Sequence, residues 1–142
     1  MSEITRRHEL DMGHCLPEHE GRCYRPHGHR YAVEATVSGP LAAGGSSDGM
    51  VLDFGRLAEV LARVLDPFDH RFVMARHDPR MQGALAVFGP DGVLLIGAVP
   101  TAENLAEMWA RELSIILGAG ALRVEAVTVY ETPKCSATWR AP

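Results

Sequence analysis

No stretch of this 142-residue chain approaches the roughly 20 consecutive apolar residues of a membrane-spanning helix, so no membrane partner is expected. The first ten residues also lack the apolar core of a secretory signal, which makes the cytoplasm the expected compartment. A concentrated positive field is missing as well. The net charge is -4, whereas nucleic acids and anionic bilayers demand clustered basic residues, so no nucleic-acid partner is expected. Cysteine is scarce: Cys15, Cys23 and Cys135 are odd in number and unpatterned, which argues against a disulfide framework and for free thiols in a reducing compartment. Internal repeats and low-complexity blocks are absent. With 46% hydrophobic content, residues 1–142 suffice for one domain with a substantial core and are too few for two of ordinary size.

What the chain does have is concentrated near its start. The segment Cys23-Tyr-Arg-Pro-His27-Gly-His29, preceded by His14, places three of the seven histidines within a short stretch. If His29 lies on the strand suggested by Tyr31-Ala-Val-Glu-Ala-Thr-Val37, then His27 and His29 project from one face of an extended backbone. A third imidazole from His14 would complete a neutral nitrogen set that suits Zn2+ and leaves a tetrahedral position open. Gly28 between the two histidines leaves the opposite face bare, where another backbone or a ligand can approach. Cys23 sits in a loop flanked by Arg22 and Arg25, a setting that favours a reactive thiolate. Cys15, next to His14, should face the other way because strand neighbours alternate.

Along the chain, residues 3–12 and 28–38 read as strands, and the Gly- and Ser-rich stretch 40–48 as a flexible connection. Asp53 is a good N-cap for a helix whose stripe is Leu57, Val60, Leu61, Val64 and Leu65, ending near Asp66-Pro67. A short helix is expected around residues 79–87 and a short buried strand at Val93–Ile96. Pro100-Thr101 opens a longer helix with Glu103 in its first turn and an apolar stripe of Leu105, Met108, Trp109, Leu113 and Ile116, closed by Gly118. Residues 122–131 and 135–140 read as strands joined at Pro133-Lys134. Together these elements predict an α+β domain: a four-stranded antiparallel sheet with two helices on one face.

The motifs His14, Cys23-x-x-x-His27-Gly-His29, Asp53-Phe54, Asp69-His70-Arg71, Pro100-Thr101-Ala102-Glu103-Asn104 and Tyr130-Glu131-Thr132 occur in the order found in the 6-pyruvoyltetrahydropterin synthase family. The chain resembles that family from about residue 10 to residue 139, and the Cys-to-His spacing is similar to its bacterial 6-carboxytetrahydropterin synthase branch. The resemblance implies a tunnelling fold (T-fold), with sheets joined into an oligomeric barrel as a homohexamer of two stacked trimers and active sites between subunits. It implies His14, His27 and His29 as zinc ligands, Cys23 as the catalytic thiol, and Asp69 and His70 as the pair that sets its protonation. Glu131 corresponds to the carboxylate that anchors the pterin, and Thr101 to a substrate contact. Taken alone, Glu131 reads more readily as a solvated strand-end acid, and a helix-capping role explains Thr101 almost as well as substrate contact.

The activity so implied is that of a zinc-dependent lyase acting on a pterin triphosphate, 7,8-dihydroneopterin triphosphate, on the way to queuosine-type 7-deazapurines. Arg22, Arg25, Arg30 and Lys134 are the candidates for gripping the triphosphate. Two alternatives stand beside it: the pyruvoyl-forming synthase, which would keep all three side-chain carbons, and a non-catalytic zinc- or pterin-binding module. The latter would close the metal with a fourth protein ligand.

Overall fold

The computed structural model describes Met1–Pro142. Its frame is a pair of 13-residue strands, β1 (Ser2–His14) and β2 (His27–Gly39), antiparallel from Ser2↔Gly39 to His14↔His27. β5 (Arg123–Thr132) pairs antiparallel with β2, and β6 (Cys135–Arg140) with β5. These four strands are the expected antiparallel sheet.

The full sheet has six strands, in the order β4-β3-β1-β2-β5-β6, so the four-stranded expectation is corrected. The additions are β3 (Phe72–Ala75) and β4 (Val93–Ile96), which run parallel to β1 and to each other. β4 is the short strand expected at Val93–Ile96, whereas β3, at four residues, is too short to show a period of its own and its partners lie far away in sequence.

Two helices cover one face. α1 (Phe54–Leu65) begins at Asp53, whose carboxylate accepts hydrogen bonds from Gly55 N at 2.7 Å and Arg56 N at 3.2 Å. Its stripe Leu57, Val60, Leu61, Val64 and Leu65 is buried as the spacing predicts, each such burial contributing roughly 1.5–3 kcal/mol. α3 (Ala102–Leu117) is capped by the Thr101 hydroxyl, which accepts from Asn104 N at 3.2 Å. Leu105, Trp109 and Leu113 enter the core, while Met108 and Ile116 pack at its margin. Together with Leu10, Met12, Tyr31 and Val33 of the strands they form the main core.

The short helix expected around residues 79–87 is present as α2 (Met81–Gly92), and as a third helix it corrects the arrangement of two helices on one face. It breaks at Gly89 (φ 72°) ahead of Pro90. Alternation along β3 sends Val73 into the main core and Met74 to the other side, where Met74, Cys15 and Val93 pack with Leu85 and Met81 of α2. Helices therefore flank both faces at the β3–β4 end. Its apolar stripe is weak because it closes only a small cluster.

Candidate metal and pterin site

The β1–β2 register builds the site. His14 stands directly opposite His27, and Met12 opposite His29, so the three histidines share the core-side face of the two strands. Their ring centroids lie 4.5 to 5.2 Å apart, and one ring nitrogen from each falls within 4.8 Å of the other two. His14 is fully buried, and the other two imidazoles are half-buried.

Backbone carbonyls fix the tautomers. His14 Nδ1 donates to the Pro100 carbonyl at 2.8 Å, and His27 Nδ1 donates to the Arg25 carbonyl at 2.7 Å. A carbonyl can only accept, so in each neutral ring the lone pair is on Nε2. Those two Nε2 atoms face each other at 3.0 Å. Burial holds the pKa of His14 and of His29 below the ordinary 6.5, favouring neutral rings. His29 Nε2 is buried with no hydrogen-bond partner. Two lone pairs and a third ring nitrogen without a partner converge into a cradle for a cation, and all-nitrogen donors of this kind fit zinc. The turn before α3 thus has two tasks: its Thr101 hydroxyl caps the helix, and its Pro100 carbonyl orients His14.

Glu131 reaches the same place from β5. Its carboxylate oxygens lie 4.0 Å from His14 Nε2 and 3.9 Å from His29 Nε2. The ladder between β5 and β6 is irregular between Tyr130 and Thr132, and this bulge lies at Glu131. Cys23 is half-buried in the one-turn helix Arg22–Tyr24, and its carbonyl accepts from Leu16 N at 2.8 Å. The charge of Cys23, with that of Glu131, adds to burial in raising the pKa of the Tyr31 hydroxyl.

Asp69 and His70 lie elsewhere in the same chain. They cluster with Asp11, whose backbone N donates to Asp69 Oδ1 at 2.9 Å and whose carbonyl accepts from His70 N at 2.7 Å. Asp11 points to the sheet face opposite His14, and there it pairs with Arg30 at 3.3 Å. His70 carries a positive φ of 58° and donates Nδ1–H to Asp69 Oδ2 at 2.9 Å. That bond raises the pKa of His70, and the Asp11 N–H bond leads in lowering that of Asp69. His70 borders a cleft of about 1080 Å³ whose lining also includes Gly13, His27, Gly28, His29, Phe72 and Phe88. Gly13 and Gly28 are cross-strand partners. A Cβ on Gly13 would come within 2.8 Å of the Phe72 ring, so the bare glycine face lets β3 close in.

Cys15 faces away from the histidines, as alternation requires. Its thiol is buried in the second apolar cluster beside Asp78 and Arg80, and burial pushes its pKa up to about 11. Tyr31 escaped the sequence reading. Its ring packs edge-on against His14 and His29, and its hydroxyl is buried without a partner. Its position two residues beyond His29 was the available signal.

A curled α+β sheet with its imidazoles gathered at the end of the long strand pair defines the tunnelling fold of the tetrahydropterin synthases. The chain belongs to the 6-pyruvoyl tetrahydropterin synthase family, whose profile matches residues 3–142. It is 33% identical over 139 residues to the 6-carboxy-5,6,7,8-tetrahydropterin synthase of Rickettsia felis, covering 95% of this chain and 97% of the relative. It is also 33% identical over 128 residues to the probable 6-carboxy-5,6,7,8-tetrahydropterin synthase of Halobacterium salinarum, covering 90% and 79% of the two chains. Among solved structures, an uncharacterized protein from Wolinella succinogenes superposes with a TM-score of 0.85 at 21% identity, over 99% and 98% of the chains. The Caenorhabditis elegans 6-pyruvoyl tetrahydropterin synthase superposes at 0.70 with 22% identity, over 99% and 96%.

Proposed function

We propose that this protein is a zinc-dependent 6-carboxytetrahydropterin synthase. It would convert 7,8-dihydroneopterin triphosphate and one water into 6-carboxy-5,6,7,8-tetrahydropterin, acetaldehyde and triphosphate. The observation that carries the reading is the unpartnered nitrogen cradle of His14, His27 and His29, in a chain aligned almost end to end with relatives of that name.

His14, His27 and His29 would hold the ion, with Pro100 and Arg25 carbonyls keeping the first two rings in the ligating tautomer. Bound there, zinc supplies Lewis acidity that stabilises negative charge on a substrate oxygen. Glu131 borders the open position, where its carboxylate accepts hydrogen bonds from the pterin's guanidine-like edge or a side-chain hydroxyl. Cys23, as thiolate, removes a proton from the substrate side chain. His70, oriented by Asp69, passes protons to and from that thiol.

Within one chain Asp69 and His70 cluster with Asp11, on the sheet face opposite the three imidazoles, and we place the relay between His70 of one copy and Cys23 of the next. The end strands β4 and β6 leave open edges, and Val87 and Phe88 expose 74% and 62% of their surface beside the cleft that holds His70. These features support a ring of subunits, a trimer stacked into a hexamer, with sites at the seams. The pyruvoyl-forming reaction is the second reading, favoured by the family profile's own description.

Chelation followed by metal replacement tests the zinc requirement. Turnover of dihydroneopterin triphosphate should vanish on removal of the ion and return with about one zinc per chain. Undiminished turnover by the stripped protein would refute it.

A further inference from the structure

The loop between β1 and β2 carries Cys23, and for most of its length nothing covers it: Glu18, His19, Glu20, Gly21 and Arg22 are all exposed. Its internal bonds are local: the turn closes on itself through Tyr24 N to the Gly21 carbonyl at 3.3 Å and Arg25 N to the Arg22 carbonyl at 3.0 Å, and Gly21 N donates to His19 Nδ1 at 2.9 Å. Leu16 N donates to the Cys23 carbonyl at 2.8 Å, and His19 N donates to the Leu16 carbonyl at 3.4 Å. Two side chains from outside the turn tie it to the fold: His27 Nδ1 donates to the Arg25 carbonyl at 2.7 Å, and Arg80 makes the wider grip.

Arg80, at the start of α2, touches both ends of the loop. One terminal nitrogen, Nη2, donates to Cys15 Sγ at 3.3 Å, immediately after β1. The other, Nη1, donates to the carbonyl of Tyr24, the residue after Cys23. The guanidinium also stacks on the Tyr24 ring, 4.0 Å from its centroid. Asp78 sets the plane of this fork. Its fully buried carboxylate accepts from Arg80 Nε at 3.0 Å and Nη2 at 2.8 Å, and from the Arg80 backbone N at 2.9 Å. The Cys15 thiol closes the set, donating to Asp78 Oδ2 at 3.6 Å.

A bidentate pair at a buried carboxylate fixes a guanidinium in one orientation. Here the rest of that guanidinium meets Tyr24 and Cys15. The turn Arg22–Tyr24 is therefore held at Cys23 itself, by Leu16 N at its carbonyl, and at the next residue, by Arg80 at the Tyr24 carbonyl and ring. We infer that Arg80, oriented by Asp78, is a positioning residue that clamps the Cys23 turn and so sets where the thiol stands relative to the imidazoles. The inference rests on the proposed role of Cys23, while the clamp itself is measurable without turnover.

The test is Arg80→Lys in the zinc-loaded protein. Lysine keeps a cation beside Asp78, but a single ammonium cannot reproduce the fork that spans Asp78 and Tyr24. Amide hydrogen exchange across residues 15–26 should accelerate about tenfold or more while zinc content is unchanged. kcat should fall about 10- to 100-fold with KM nearly constant, as displacement of a reacting group by about an ångström does. The double change Asp78→Asn with Arg80→Met removes both charges together, leaving no buried unpaired carboxylate, and should give the same pair of effects. Loop exchange at the wild-type rate in these variants would overturn the clamp. A loosened loop with wild-type kcat would overturn its importance for the thiol. Absence of turnover in the wild-type protein would count against the proposed function alone, since the exchange contrast still decides whether Arg80 holds the turn.

Discussion

His14 Nε2 and His27 Nε2 face one another at 3.0 Å while each ring gives its Nδ1 proton to a backbone carbonyl. Two lone pairs at that separation repel unless a cation lies against both, and His29 Nε2, buried and unpaired, completes the same requirement. The expected outcome is one zinc per chain at Zn–N distances of about 2.0–2.1 Å. His27→Ala should lose metal and activity together, which metal analysis and X-ray absorption of the purified variant check. Full zinc content in that variant would place the metal elsewhere.

Cys23 should behave in the opposite way. Cys23→Ala is expected to keep its zinc and lose turnover by about 10² to 10⁴, the usual effect of removing a general base. Loss of zinc from a folded Cys23→Ala protein would instead make the thiol a fourth ligand and favour a closed structural site.

His70 should titrate above 6.5, because its ring bonds to the Asp69 carboxylate. A raised histidine pKa stabilises the fold fully below the unfolded value of 6.5, and that contribution is lost as pH rises through the folded value. Asp69, whose pKa is lowered, contributes above 3.8 and loses its effect as pH falls through its folded value. The pair therefore acts in the window where both are charged. In Asp69→Asn the His70 ring resonance should titrate back near 6.5 in NMR. An unmoved titration would mean that Asp69 does not set the state of His70.

Assembly is expected because the proposed relay needs two chains. Sedimentation of the zinc-loaded protein at micromolar concentration should give a trimer or hexamer, and a variant that stays monomeric should bind zinc without turning over. A wild-type monomer with full turnover would disconnect Asp69 and His70 from the reaction.

The legible parts of this fold are those with long periods or caps. β1, β2 and β5 span ten or more residues each, α1 shows its stripe behind Asp53, and α3 announces itself through Pro100-Thr101. The histidine pair was legible for the same reason, since a His-x-His spacing on a strand has one geometric outcome. β3 was not legible, because four residues beside a turn carry no period and its parallel partners are distant in sequence. Nor was the clustering of Asp69 and His70 with Asp11, which depends on the sheet face that Asp11 occupies. Arg80 meets Tyr24 across 56 residues, a contact that only the packing of α2 against β3 and β4 creates.

The central claim is the reaction itself, and mass identification of the product tests it most directly. Zinc-loaded protein incubated with 7,8-dihydroneopterin triphosphate should release acetaldehyde and yield a tetrahydropterin bearing one side-chain carbon, as a carboxylate at position 6. A product that keeps all three side-chain carbons, or substrate recovered unchanged, would contradict it.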